Sequence, residues 1–159
     1  MDGKASDLLP KKTTDEAGTY ALVIFAERPS LLTIGKLGTY EFPAGYYIYV
    51  GSALNGLNSR LGRHLKAEKK LHWHIDYLLR QNKVIQVWYS LSPDKLECKW
   101  TSILQGLTDV QMPVPGFGSS DCRCLSHLLH FSALPDFCRF EKELEERQLP
   151  EVLRMMGVE

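Results

Sequence analysis

No stretch of the 159 residues approaches the roughly 20 consecutive apolar positions that a membrane-crossing helix requires. The opening residues, MDGKASDLLPKKTTDEAG, also lack the apolar centre of a secretion signal and mix acids with bases, so residues 1–17 read as a solvent-exposed arm. Cysteine is scarce. Cys98, Cys122, Cys124 and Cys138 are too few for a dense disulfide framework, and without an export signal they read as free thiols in a reducing cytoplasm. Net charge is absent too: 19 basic and 19 acidic residues cancel, which excludes a global field driving tight, non-specific binding to nucleic acid. There is no internal repeat and no second apolar core.

What is present suits one globular domain. Apolar residues make up 44% and charged residues 24%, and the length suffices to bury a core without disulfides or a structural metal. Charge is unevenly distributed. Arg60, Arg63, Lys66, Lys69 and Lys70 face Glu68 alone between Asn58 and Lys70, whereas acids exceed bases after Leu134. A basic segment on a neutral protein suits local phosphate contact better than long wrapping.

That basic segment belongs to the unit around which the chain is organised, GYYIYVGSALNGLNSRLGRH, residues 45–64. Tyr46 to Val50 are aromatic or β-branched and read as a strand ending at Gly51. Gly51-Ser52-Ala53 has side chains small enough for close backbone approach. Leu57, Leu61 and Leu65 then recur with the period of a buried helical stripe, with Asn58 or Ser59 as cap. Arg60 and His64 fall together beside the stripe, while Arg63 and Lys66 point further into solvent. On spacing alone a solvated helix face is the commoner outcome, but a guanidinium fixed beside a strand-end tyrosine also matches two phosphate oxygens.

Around this unit the pattern predicts a central strand over 20–27, a hairpin of strands 31–35 and 38–42, a helical segment over 72–80, and a strand over 84–91. Ser92-Pro93-Asp94 reads as the start of a helix running to Gln105 and stopping at Gly106. A last strand falls within 126–132. Residues 137–156 read as an acidic helix broken or kinked at Pro150.

Tyr49-Val50-Gly51 followed by Leu57-x-x-Arg60-Leu61-x-x-His64, with Gly18-Thr19-Tyr20 upstream, resembles the core of the GIY-YIG nuclease superfamily. FPAGYYIYVGSA, HWHIDYLL and PGFGSSDCRC resemble signatures of a stand-alone branch of it, so the likeness runs from Gly18 to Phe131. It implies an α/β (α+β) domain over 18–133 with a small, mainly antiparallel central sheet flanked by helices; the acidic helical tail over 134–159 lies outside the likeness and reads as an add-on helix or a partly disordered segment. The hairpin between Tyr20 and Tyr49 is an insertion relative to most of the superfamily.

The resemblance also implies roles. Tyr20 is the candidate general base, Arg60 stabilises the phosphate, Glu97 holds a divalent ion, Mg²⁺ before Mn²⁺, and Tyr49 and His64 give hydrogen-bonding support. Gly51, Ser52, Arg60, Arg63 and Lys66 would contact nucleic acid, DNA before RNA. The implied function is metal-dependent endonucleolytic hydrolysis of phosphodiesters. A binding module without turnover and a fold-only interaction protein are the alternatives. Asp76 and Glu41 compete with Glu97 as the metal-binding carboxylate. Cys122-x-Cys124-x-x-His127 invites a zinc reading, but one residue between the thiols is shorter than the common Cys-x-x-Cys knuckle, so a buried, metal-free thiol pair is expected. His72 and His74 carry no catalytic assignment.

Overall fold

The computed structural model describes residues 15–107, 110–149 and 152–158. Its spine is β1 (Gly18–Ala26), whose side chains are buried at every position but Phe25. Strands hydrogen-bonded on both edges and covered on both faces have no solvent side, which explains the uninterrupted apolar run YALVIFA. β1 pairs antiparallel with β4 (Gly45–Ala53) on one edge and with β5 (Lys83–Leu91) on the other. β7 (Leu128–Phe131) adds to β4, β6 (Val110–Gln111) adds to β7, and β8 (Arg154–Gly157) adds to β5. The result is a six-stranded antiparallel sheet in the order β6-β7-β4-β1-β5-β8. β2 (Ser30–Ile34) and β3 (Gly38–Phe42) form a separate hairpin around a 3₁₀ turn at Gly35–Leu37.

The period of two along β1 divides the core. Tyr20, Leu22 and Ile24 join Leu57 and Leu61 of α1 (Leu57–His64), Ile75 and Leu78 of α2 (His74–Leu79), and the hairpin's Leu32, Ile34 and Phe42. Ala21 and Val23 face the other way, onto Trp100, Ile103 and Leu104 of α3 (Glu97–Gln105) and Phe140 and Leu144 of α4 (Phe137–Glu146). This is an α+β fold with helices on both faces of the sheet. Among the described residues no helix is long and apolar enough to cross a membrane.

Several local expectations change. β4 does not stop at Gly51 but continues to Ala53, with Gly51 paired to Tyr20. α1 is capped neither by Asn58 nor by Ser59. The carboxylate of Asp15 accepts from the backbone N–H of both residues and from the Ser59 hydroxyl, satisfying first-turn donors that have no partner inside a helix. Leu57 N–H donates to Glu16 O and Ser92 N–H to Ala17 O, so residues 15–17 of the expected arm are tied to the domain; residues 1–14 lie outside the described residues. Ser92 Oγ does cap the Asp94 N–H, but α3 begins only at Glu97, after a turn.

The C-terminal segment is not helical throughout. α4 buries Phe140 and Leu144 in the core, side chains that contribute about 1.5–3 kcal/mol each when fully buried. Arg154–Gly157 then adds a strand to the sheet edge. The kink expected at Pro150 lies outside the described residues.

Candidate active site

At one end of the sheet, the start of β1, the end of β4, α1 and the N-terminus of α3 surround a cavity of about 340 Å³. Tyr20, Tyr49, Gly51, Ser52, Arg60 and Glu97 line it, together with Trp73, His74, Gly118 and Asp121. Strand pairing sets the first contacts. Because Gly51 lies opposite Tyr20, a Cβ at Gly51 would collide with the Tyr20 phenol, so the small residue is required by the tyrosine itself. Gly118, at φ +68°, plays the same part for Tyr49, whose ring carbon would be 2.8 Å from an added Cβ.

His64 sits behind this wall. Its Nε2 is 2.8 Å from Tyr20 Oη, and its Nδ1 is buried without a hydrogen-bond partner. Burial depresses His64 to about 3, against the pull of Asp76, so the ring is neutral at physiological pH. Burial also raises the Tyr20 phenol to about 12, with the Arg60 guanidinium working in the opposite direction. Tyr49 is raised by the same desolvation.

The two helix arginines diverge although both guanidinium groups lie over Trp73, at 4.6 Å for Arg60 and 4.3 Å for Arg63. Arg63 does not point into solvent. Its two terminal nitrogens each donate to one oxygen of fully buried Asp76 at 2.9 Å, and Nη2 also donates to Lys70 O. Its fork is occupied in holding α1 to α2. Asp76, which accepts from the His72 and Trp73 N–H groups as well, is thereby removed as a metal ligand. Burial acts to raise its carboxyl, but the bonds from Arg63 and the two backbone donors outweigh it and hold it below the ordinary carboxylate range. Arg60 donates through Nη1 to Ser52 O at 3.1 Å and faces the cavity. Lys66 is exposed, and neither it nor Glu41 lines the cavity.

The opposite wall is built by α3 and the loop over 112–127. Glu97 lines the cavity from the first turn of α3, with exposed Lys95 Nζ 3.3 Å from its carboxylate and 4.0 Å from that of Asp121. His74 Nδ1 accepts from Gly118 N–H at 2.8 Å, so His74 positions the loop. Asp121 had no sequence signal of its own, because the serine-rich turn around it reads as ordinary loop chemistry.

Behind that loop, Cys98, Cys122, Cys124 and His127 place their ligand atoms within 4.8 Å of one another and form a cluster able to hold a metal ion. The objection that one residue between Cys122 and Cys124 is too short for a knuckle therefore loses its force. The ligands come from α3 and the loop, whose last residue is His127, and Cys98 completes a set of which the sequence pattern shows three.

A family model described as "Domain of unknown function DUF123" matches residues 19–148. The chain belongs to this family. The DUF123 match takes in both walls of the cavity, the Cys/His cluster and α4, and thus extends past the boundary expected at residue 133. No curated protein and no solved structure matches the chain.

Proposed function

We propose that the protein hydrolyses phosphodiester bonds in nucleic acid, DNA before RNA, as a divalent-metal-dependent endonuclease of GIY-YIG type. The observation that carries this reading is the gathering of Tyr20, Tyr49, Arg60 and Glu97 around one cavity, with His64 bonded to Tyr20 from behind. Arg60 provides a cation that is oriented by Ser52 O and Trp73 and faces open space, as phosphate binding requires. Tyr20 takes the proton of the attacking water as the water oxygen bonds to phosphorus and the bond to the leaving oxygen breaks. An unperturbed phenol is a weak base at neutral pH, and burial alone makes Tyr20 weaker. The environment offers a remedy. An unpartnered buried lone pair costs less than an unpartnered buried N–H, so Nδ1 is best left bare and the ring proton placed on Nε2. His64 then donates to Tyr20 Oη and favours the phenolate, as does Arg60.

Glu97 fits a divalent cation of the magnesium class. It offers hard oxygen atoms at the cavity wall with Asp121 nearby, and its ion pair with Lys95 is half exposed and readily exchanged. Such an ion would neutralise phosphoryl charge and support the leaving oxygen. The Lys95–Glu97 pair also favours a second reading, a nucleic-acid-binding module without turnover, in which Lys95 keeps the carboxylate neutralised. Four free thiols support a reducing, cytoplasmic setting in either case.

Wild type, Tyr20→Phe and Glu97→Gln assayed on single-stranded, duplex and branched DNA and on RNA, with Mg²⁺, Mn²⁺ or chelator, decide between the two. The nuclease reading expects metal-dependent cleavage by wild type alone, with binding retained in both variants. Binding without cleavage by wild type under every condition selects the module.

A further inference from the structure

We propose that Cys98, Cys122, Cys124 and His127 form a structural zinc site that fastens the 112–127 loop to α3, directly behind the cavity wall. Three thiols and an imidazole are a soft donor set that selects Zn²⁺ over the hard Mg²⁺ or Mn²⁺ suited to Glu97. The spacing is close to what the ion needs. Tetrahedral Zn–S bonds of about 2.3 Å separate ligand atoms by about 3.7 Å. All four donors here lie within 4.8 Å of each other, and Cys122 Sγ is 3.2 Å from His127 Nε2.

The histidine is already prepared as a ligand. Thr101 Oγ1 lies 2.8 Å from Glu97 O, to which it donates its single proton, and 2.7 Å from His127 Nδ1. The hydroxyl must therefore accept from Nδ1–H, which leaves the lone pair on Nε2, the nitrogen aimed at Cys122. This is the outer-shell arrangement that fixes tautomer and ring orientation in metal-bound histidines. Loading the site bonds three thiolates and Nε2 to zinc and releases the three thiol protons to solvent.

The position explains what the site is for. Ser120 and Asp121 line the cavity one or two residues before Cys122, and Glu97 immediately precedes Cys98. Sixteen residues without regular structure are long for a compact domain, and a metal tie gives them one conformation. The inference stands apart from the nuclease reading because its readout is metal content, not cleavage.

Full-length protein purified under reducing conditions without added metal should carry one zinc per chain by elemental analysis, released by a thiol-specific mercurial. Cys98→Ala, Cys122→Ala and Cys124→Ala should each lose it, whereas His127→Cys, which keeps four soft ligands, should retain it. Should the alanine variants fail to fold, zinc-free wild type refilled with Co²⁺ should show thiolate-to-cobalt charge transfer and tetrahedral d–d bands. Zinc-free protein with freely titrating thiols and no such cobalt spectrum, or a disulfide within the cluster in reduced preparations, would overturn the site.

Discussion

The two walls of the cavity are held by different means. The wall of Tyr20, Tyr49, Gly51 and Arg60 rests on strand pairing and a buried helix stripe, where backbone hydrogen bonds and apolar packing fix each side chain. The wall of Glu97, Gly118 and Asp121 joins α3, packed through Trp100, Ile103 and Leu104, to a loop without strand pairing along its length. That loop is held by buried Val114 and Phe117, by turn bonds such as His127 N–H to Phe117 O, by the His74 bond to Gly118 N–H and by the Cys/His cluster. The loop is also the part of the site able to respond to metal and thiol chemistry.

The largest effect expected on the sheet side comes from a residue that does not face the cavity. Arg63→Ala leaves the Asp76 carboxylate buried without its cation, and removing one partner of a buried pair costs about 3–5 kcal/mol. Arg60→Ala, three residues away on the same helix, should cost less than about 1 kcal/mol of stability yet weaken nucleic-acid binding by about 1–3 kcal/mol. Urea unfolding beside a binding titration separates the two. Equal stability losses would erase the distinction drawn between the arginines.

A smaller effect comes from acid. His64 is held neutral with its protonation depressed to about 3, so the unfolded chain takes up a proton first as pH falls below about 6.5. The stability it contributes is complete above that pH and is lost progressively towards 3, amounting to about 2 kcal/mol by pH 5. His74 and His127, also depressed by burial, act in the same direction. His64→Gln isolates the share due to His64: its unfolding free energy should fall less between pH 7 and pH 5 than that of wild type. Parallel pH curves would show that His64 is not held neutral.

The smallest expected change in stability is that of Lys95→Met. Lys95 is half exposed, and such surface pairs contribute under about 1 kcal/mol, so the melting curve should scarcely move. Divalent-ion affinity should nevertheless rise, because Glu97 no longer has a competing cation. Unchanged Mn²⁺ binding by calorimetry would mean that Glu97 is not the ligand.

The same contrast explains what could be read from the sequence. β1, β4 and α1 were legible because their signals are local: alternation or a continuous apolar run, a small-residue turn, and leucines at helical spacing. The positions of Tyr20, Tyr49 and Arg60 on these elements follow from the same signals, whereas their proposed roles rest on the resemblance to the GIY-YIG superfamily. The other wall was less legible. Glu97 is chosen only for its place on the helix after the last central strand, and Cys122, Cys124 and His127 stand out as a local motif, but Cys98 joins that motif, and Asp121 joins Glu97 at the cavity, only through tertiary structure, with 23 positions between Cys98 and Cys122. Arg63 was misplaced because its partner, Asp76, lies on another helix. Asp15 was assigned to an arm because a cap supplied from 43 residues upstream leaves no mark in the helix sequence. β8 was overlooked since a four-residue strand after an acidic helix has too few positions to show a period.

The most direct test of the account is single-turnover cleavage measured against Mg²⁺ concentration for wild type and Glu97→Gln at matched, saturating nucleic acid. The account predicts a wild-type rate that rises and saturates with Mg²⁺, and a variant that binds equally well yet stays at the chelator baseline, a loss of about 10³-fold or roughly 4 kcal/mol. A variant curve superimposed on that of wild type would contradict it.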